Sequence, residues 1–405
     1  MRARLPFVFI LITLLLNAIG FGLILPVMPT LLVEVTGRPI ADAALWGGVL
    51  TTAFAVMQFL CGPLIGGLSD RYGRRPVLLV SLAVMAADYA VMALAGSVWL
   101  LLVGRLVGGA AAATQATGTA FIADLSPPEK KAANFGLIGA AFGLGFVLGP
   151  ALGGLLAEYG SRAPFWAAAA LSALNLLFGL IVLPETVTDR TRRPFVLAAA
   201  NPFAAFAALG RLAGLRAPLA VFFLYEFAQI VYPATWAYFT TARFGWTPAT
   251  IGASLAVFGL AFAVMQGGLI RLFLARLGEW GTIWFGLGAN VAIFAFLAFV
   301  TSGPLLLAMT PLCALGACVM PPLQALMSRA TPDSRQGELQ GLLSSLRALA
   351  WIVGPFVMTG VFFAFTAPGA AVYLPGAAFL VSGAIMGLSA VIMAARARPV
   401  LETTP

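Results

Sequence analysis

Four ionisable side chains lie within long apolar stretches of the sequence, and their chemistry needs an explanation first. They are Asp88, Arg105, Glu226 and Arg347. A charged side chain inside a bilayer is costly, so each is expected to have a functional role by default. Burial favours the protonated form of a carboxyl group, whereas a nearby arginine favours its ionised form. We therefore predict that Asp88 and Glu226 carry protons and that Arg105 and Arg347 are their electrostatic partners.

The same four residues allow a simpler interpretation. Each acid and its arginine can form a permanent ion pair that only holds helices together. The sequence alone leaves both interpretations open.

The absence of histidine and the spacing of the cysteines limit the possible catalytic and metal-binding chemistry. The sequence contains no histidine, so any proton carrier has to be a carboxyl group, and most metal or nucleophile–base chemistry lacks its usual partner. The cysteines Cys61, Cys313 and Cys318 lie in apolar runs without metal-binding spacing or a disulfide framework. We expect no metal, no cofactor and no enzymatic activity.

The composition predicts an all-α membrane protein. Of the 405 residues, 61% are hydrophobic and 9% are charged, which excludes a soluble globular domain. A membrane-spanning helix needs roughly 20 apolar residues, and about twelve such runs can be placed. The predicted helices cover residues 5–35, 44–69, 77–95, 98–123, 131–157, 164–183, 218–241, 248–276, 281–301, 304–328, 338–364 and 372–395. The first run is too long for a signal-peptide core, so we expect it to remain as the first helix.

One long connection divides the predicted helices into two groups. Residues 184–217 contain several charges among prolines, and we interpret them as a cytoplasmic linker between bundles at 1–183 and 218–405. Most of the 23 lysine and arginine residues then fall in cytoplasmic segments, with both termini on that side. The net charge of +9 therefore reflects membrane topology and does not indicate nucleic-acid binding.

An internal repeat supports the same division. Residues 120–150 align without a gap to residues 325–355, and the pentapeptide at 54–58 recurs at 262–266. These matches predict two pseudo-symmetric six-helix bundles.

Buried amides are the candidates for substrate contacts. Gln58 and Gln266 occupy corresponding positions of the repeat, and Asn17 and Asn290 lie within other predicted helices. A buried amide needs hydrogen-bond partners, which neighbouring helices can supply as well as a ligand. We predict that the four residues bind substrate, with bonding between helices as the alternative.

A charged turn joins the second and third predicted helices. Its sequence is Gly66-Gly67-Leu68-Ser69-Asp70-Arg71-Tyr72-Gly73-Arg74-Arg75-Pro76. Gly73 permits the reversal, and Arg71, Arg74 and Arg75 should hold the turn in the cytoplasm. Asp70 needs a partner, such as Arg74 or the N-terminus of another helix. We predict a gating role for this motif.

Glycines recur every fourth residue in the fifth predicted helix. Gly145, Gly149 and Gly153, with Pro150, allow close approach of another helix backbone. The motif can serve for packing alone or as a surface on which helices slide.

The turn motif matches the signature of the major facilitator superfamily, glycine-x-x-x-aspartate-basic-x-glycine-basic-basic. The chain resembles especially the tetracycline–proton antiporters, through Arg243-Phe244-Gly245-Trp246 and Gln336-Gly337-Glu338-Leu339-Gln340-Gly341. The segment Gly149-Pro150-Ala151-Leu152-Gly153-Gly154 is similar to the fifth-helix motif of drug–proton exchangers. The resemblance implies the major facilitator fold, export and proton coupling.

The departures from that pattern concern the coupling residues. The resemblance implies membrane acids in helices 1, 3 and 9, where this chain has Asn17, Asp88 and Asn290. Glu226 has no counterpart in the pattern, and we interpret it as a relocated coupling site. Neither tetracycline as substrate nor the proton stoichiometry carries over.

The sequence therefore predicts a multi-pass inner-membrane transporter that exports an amphipathic small molecule, tetracycline-like or multidrug, in exchange for protons. Its partners would be that substrate, protons and membrane lipid, without nucleic acid, and the protein would be a monomer. The alternative is an uncoupled facilitator, or a lipid or metabolite transporter of the same fold.

Overall fold

The computed structural model describes residues 4–112, 114–189, 192, 195 and 201–397. These residues are mostly helical and contain no strand. A helix satisfies its backbone hydrogen bonds within one segment, which is what an apolar chain in lipid requires. The α-helices are α1 Arg4–Ile24, α2 Met28–Thr36, α3 Ile40–Tyr72, α4 Arg74–Leu94, α5 Val98–Ala111, α6 Thr114–Leu125, α7 Lys131–Leu156, α8 Ala163–Val182, α9 Ala208–Arg211, α10 Arg216–Gln229, α11 Val231–Phe244, α12 Pro248–Val264, α13 Ile270–Phe299, α14 Gly303–Met309, α15 Met320–Arg329, α16 Gln336–Ala364 and α17 Ala377–Ile392.

Ten helical segments among the described residues are long and apolar enough to cross a membrane. They are Leu5–Ile24, Ile40–Tyr72, Arg74–Leu94, Asn134–Tyr159, Ala163–Val182, Arg216–Phe244, Pro248–Phe299, Gly303–Arg329, Asp333–Ala364 and Ala377–Ala395. The segment Pro248–Phe299 contains a sharp turn at Gly278, where φ is 67° and ψ is −179°, so it consists of two helices.

Several helices that the sequence predicts as continuous are interrupted. The predicted helix 5–35 consists of α1 and α2, and the predicted helix 218–241 consists of α10 and α11. Proline explains both breaks, because it lacks the N–H that would bond the carbonyl four residues earlier. Pro29 leaves the carbonyl of Leu25 without that bond, and Pro233 does the same for Gln229.

Two further predicted helices differ for local reasons. The predicted helix 304–328 contains a 3₁₀ segment, Thr310–Val319, between α14 and α15. The last predicted helix begins at Ala377 rather than at residue 372, directly after Pro375 and Gly376. The residue before a proline is disfavoured in helical conformation, which delays the start.

The chain forms two compact units. The first comprises Met1–Arg38, Ala53–Pro202 and Thr247–Ala256, and the second comprises Pro39–Thr52, Phe203–Trp246 and Val257–Pro405. The first unit thus includes Thr247–Ala256, which follow the predicted linker in the sequence, and the second includes Pro39–Thr52, which precede it. The predicted boundaries 1–183, 184–217 and 218–405 stay a prediction.

Each unit has its own apolar packing. In the first unit, α1 packs against α7 and α8, and α4 packs against α8. In the second unit, α13 packs against α17 and against the 3₁₀ segment. The helices that carry the four ionisable residues of the predicted site pack in pairs, α4 against α5 in the first unit and α10 against α16 in the second.

Candidate functional site

Asp88 and Arg105 form an ion pair in the first unit. The Asp88 side chain on α4 is completely buried, and that of Arg105 on α5 is 12% exposed. Gly104 and Gly108 lie beside the carboxylate, and a Cβ atom on Gly108 would stand 2.6 Å from Asp88 Oδ2. The two glycines therefore make the space that the carboxylate occupies.

The Asp88–Arg105 pair is incompletely bonded. The hydrogen bond joins Arg105 Nη2 to Asp88 Oδ2. Asp88 Oδ1 and Arg105 Nε are buried without a hydrogen-bond partner among the residues that the structure describes. A buried polar atom left unbonded is unfavourable. A rearrangement of the Asp88–Arg105 hydrogen bond would therefore not break a fully satisfied hydrogen-bond network.

Arg105 also stacks on an aromatic ring. Its Cζ atom lies 5.1 Å from the centre of the Phe54 ring on α3. The ring face attracts a cation through its quadrupole. Arg105 thus has two attractive partners, Asp88 and Phe54.

Glu226 and Arg347 form the corresponding pair in the second unit. Both Nε and Nη2 of Arg347 on α16 lie 2.9 Å from Glu226 Oε1 on α10. The Glu226 side chain is 15% exposed, whereas that of Arg347 is 47% exposed. Arg347 Cζ also lies 5.6 Å from the centre of the Phe222 ring. Both predicted acid–arginine pairs are therefore in contact.

Asn290 lies in a hydrogen-bonded network in the second unit. Its completely buried amide donates to the carbonyls of Gly286 at 2.9 Å and Gly316 at 3.2 Å. It accepts from Gln229 Nε2 at 3.1 Å, and Gln229 also donates to Tyr225 Oη at 3.0 Å. Tyr225 donates to the Gly316 carbonyl at 2.9 Å. The surrounding protein thus engages the Asn290 amide, and its substrate role stays a prediction.

The other three predicted substrate contacts differ in their surroundings. Gln58 is exposed and donates to the Ala112 carbonyl at 3.5 Å, at the break between α5 and α6. Gln266 donates to the Ala317 carbonyl at 3.2 Å, within the 3₁₀ segment. Asn17 is half-buried on α1. Each glutamine bonds a carbonyl where a helix is irregular, which is the interhelical alternative considered from the sequence.

The charged turn is built around Gly73. Its φ of 113° lies in the region that favours glycine. The Glu185 carboxylate accepts from the backbone N–H groups of Arg74 at 2.9 Å and Arg75 at 3.2 Å. A carboxylate at a helix N-terminus is stabilised by the helix dipole. Glu185 therefore stabilises the start of α4.

The side chain of Arg74 joins two acids at this turn. Arg74 Nη1 lies 3.2 Å from Asp70 Oδ1, which is one of the partners that the sequence predicts for Asp70. Arg74 Nε binds Asp124 at the end of α6. Thr186 Oγ1 donates to the same Asp124 oxygen at 3.0 Å.

The remaining arginines of the turn have different environments. Arg75 Nη2 donates to the Leu180 carbonyl at 2.9 Å. Arg71 is exposed, with its Cζ 5.1 Å from the centre of the Tyr72 ring. The gating role of the motif stays a prediction.

A turn of the same construction occurs in the second unit. Gly278 has a φ of 67°, and the next residue, Glu279, forms an ion pair with Arg329 at the end of α15. Glu279 and Arg329 are separated by 50 residues, as are Arg74 and Asp124. In the first turn the residue after the glycine is the arginine and its partner is the acid, whereas in the second turn the residue after the glycine is the acid and its partner is the arginine.

The glycines of α7 lie against α1. A Cβ atom on Gly149 would stand 2.7 Å from the Ile19 carbonyl oxygen, and one on Gly153 would stand 2.3 Å from that of Leu23. One on Gly145 would stand 2.5 Å from a side-chain atom of α1. Pro150 lies within α7. Larger residues would separate the two helices.

Sequence reasoning missed several residues of these sites. They are Phe54, Phe222, Asp124, Glu185 and Thr186. One signal was available for Glu185, which follows Pro184 immediately after an apolar run.

Comparison with known proteins places the chain in a family. The profile of the Major Facilitator Superfamily matches residues 10–355. The class C tetracycline resistance protein of Escherichia coli is 41% identical, over 92% of this chain and 96% of that protein. The class G tetracycline resistance protein of Vibrio anguillarum is 42% identical, over 86% of this chain and 88% of that protein.

A solved structure agrees with the same assignment. The crystal structure of the human organic anion transporter MFSD10 matches with a TM-score of 0.68 and 29% identity, over 96% of this chain and 99% of that one. The residues that the superfamily profile matches, 10–355, include both acid–arginine pairs. The chain is therefore a multi-pass membrane transporter that belongs to the major facilitator superfamily.

Proposed function

We propose that the protein is a twelve-helix transporter of the inner membrane, with both termini in the cytoplasm, that exports an amphipathic small molecule in exchange for protons. Two observations support twelve crossings rather than the ten long apolar segments. Pro248–Phe299 contains the turn at Gly278 and would cross twice, and α5 with α6 would form one further crossing. Alternating access between two halves is the mechanism that such repeats support.

The two charged turns support the division into halves at 1–183 and 218–405. Gly278, Glu279 and Arg329 each lie 205 residues after Gly73, Arg74 and Asp124, which is the offset of the internal repeat. Two related units in parallel would place these turns on the same side of the membrane. Residues 184–217 are then the linker between the halves.

The Asp88–Arg105 pair is the observation that carries the proposal of proton coupling. A completely buried carboxylate with one charged partner has two stable conditions, namely ionised and paired, or protonated and neutral. A proton on Asp88 cancels the charge that holds Arg105. Exposure of the pair to one side of the membrane and then to the other would load and release that proton.

Glu226 is the second proposed proton carrier. It pairs with Arg347 and directly follows Tyr225, whose hydroxyl group is bonded to Gln229. Gln229 in turn bonds Asn290, one of the two amides at positions where the resemblance implies an acid. A change in the protonation of Glu226 would thus act beside the network that contains this amide.

The proposed substrate is an amphipathic organic molecule that contacts Asn17, Gln58, Gln266 and Asn290. Similarity to the tetracycline resistance proteins supports a tetracycline-like substrate. Similarity to the human organic anion transporter supports an organic anion. Gln58 is the most accessible candidate, because its amide is exposed and its bond to Ala112 is long.

The alternative is an uncoupled facilitator, or a lipid or metabolite transporter. It is favoured by one observation: both acids are paired with arginines, as they would be in permanent structural bonds. The two proposals differ in their dependence on a pH gradient.

Transport by the purified protein in proteoliposomes separates these proposals. Tetracycline with magnesium, and a fluorescent organic anion, would each be offered to wild type, Asp88→Asn and Glu226→Gln with and without an imposed pH gradient. We expect gradient-driven accumulation by wild type, and loss of accumulation in Asp88→Asn with substrate exchange retained. Transport by wild type that ignores the gradient would support the facilitator instead.

A further inference from the structure

The two acid–arginine pairs share a third group, an aromatic ring under the guanidinium. Arg105 stacks on Phe54 at 5.1 Å, and Arg347 stacks on Phe222 at 5.6 Å. The arrangement of acid, arginine and ring therefore occurs once in each unit. We call each set of three residues a triad.

The two triads are built differently. Phe54, Asp88 and Arg105 come from three helices, α3, α4 and α5. In the other triad, Phe222 and Glu226 are four residues apart on one face of α10, and Arg347 reaches both from α16.

The internal repeat does not explain the second triad. The repeat aligns Phe54 with Phe262, not with Phe222. The triads are thus two independent occurrences of one arrangement, which is difficult to ascribe to inheritance from a common half.

The ring acts differently on the two protonation states of the acid. While the acid is ionised, the ring faces an ion pair whose charges largely cancel. Once the acid is protonated, the guanidinium retains its full charge and attracts the ring more strongly. This attraction is less screened at the mostly buried Arg105 than at Arg347, which is 47% exposed. The ring therefore stabilises the protonated state more than the ionised one.

We propose that Phe54 and Phe222 are positioning residues that hold Arg105 and Arg347 when their acids are protonated, and so set the pH at which each acid takes up a proton. This inference rests on the proposed proton coupling. Two buried tyrosines also interact with these groups: Tyr89 with the Asp88–Arg105 pair, and Tyr225 with Glu226.

The test is the pH profile of substrate exchange in proteoliposomes with equal pH on both sides. Phe54→Leu removes the ring, Phe54→Tyr keeps it, and Phe262→Leu is the matched control at the repeat counterpart. We expect the midpoint of Phe54→Leu to move about 0.4 to 0.7 pH unit toward acid, which is the shift that corresponds to a cation–π contribution of ~0.5–1 kcal/mol. Phe54→Tyr and Phe262→Leu should keep the wild-type midpoint.

The outcomes separate this inference from the proposed function. An unmoved midpoint in Phe54→Leu, or an equal shift in Phe54→Tyr, overturns the role of the ring while Asp88→Asn still alters the pH profile. A wild-type exchange rate without pH dependence, or an unchanged profile in Asp88→Asn, overturns proton coupling and the inference together. Phe222→Leu provides a second measurement, for which we expect an acidic shift that requires Glu226.

Discussion

Glu279 and Arg329 form an ion pair at the position of the repeat where the preceding copy has Arg74 and Asp124, with the two charges exchanged. Each pair connects the residue after a left-handed glycine to the end of a later helix. Each turn therefore needs one positive and one negative side chain at these two positions, and the acid and the arginine can occupy either of them.

Exchange of the two charges should be tolerated in the second turn. Glu279→Arg places two like charges together and should impair transport, whereas Glu279→Arg combined with Arg329→Glu should restore it. The Arg329 side chain is 58% exposed, so the effect on the free energy of unfolding should stay below about 1 kcal/mol. Transport rate and detergent unfolding temperature measure both effects. A double variant no better than the single one would show that the order of charges matters.

Gly73→Ala should destabilise the first turn. An alanine there would adopt a φ of 113°, and its Cβ atom would stand 2.2 Å from Glu185 Oε2. We expect a loss of about 1–3 kcal/mol in the free energy of unfolding. Gly66→Ala is the control, because the space around Gly66 is open within 4 Å and the residue lies inside α3. Equal unfolding temperatures for the two variants would contradict the role of the Gly73 conformation.

Asn290→Asp should produce a pH-dependent loss of stability. The Asn290 amide donates to the carbonyls of Gly286 and Gly316. An ionised carboxylate would face two acceptors, whereas a protonated one can still donate to one of them. The unfolding temperature of Asn290→Asp should therefore fall further below wild type at pH 8 than at pH 5. Asn17→Asp, at a half-buried position, serves as comparison. A loss of the same size at both pH values would contradict the network.

The positions of the helices follow largely from the sequence. The predicted helix 131–157 corresponds to Lys131–Leu156, and the predicted helix 338–364 corresponds to Gln336–Ala364. The breaks before Met28 and after Gln229 could not be predicted from the sequence. Whether a proline interrupts a membrane helix depends on which neighbouring groups compensate for the lost backbone hydrogen bond.

The candidate site was predictable at the charged positions, because the free-energy cost of a charged side chain in the bilayer makes such residues rare. Charges in apolar runs are rare, and they identified both acid–arginine pairs. Phe54 and Phe222 carry no such signal, since the sequence has 31 phenylalanines and nothing local distinguishes these two. Glu185 was missed because its bond to the start of α4 spans 111 residues and depends on where α8 ends.

Release of protons on substrate binding is the most direct test of the central claim, that Asp88 exchanges a proton while Arg105 remains beside it. Purified protein in weakly buffered detergent would be mixed with tetracycline and magnesium, or with the organic anion, while a pH indicator records the solution. Wild type should release protons in proportion to the substrate bound, and Asp88→Asn should bind with less release. Substrate binding to wild type without any change in proton concentration, across the pH range where the protein is folded, would contradict the account.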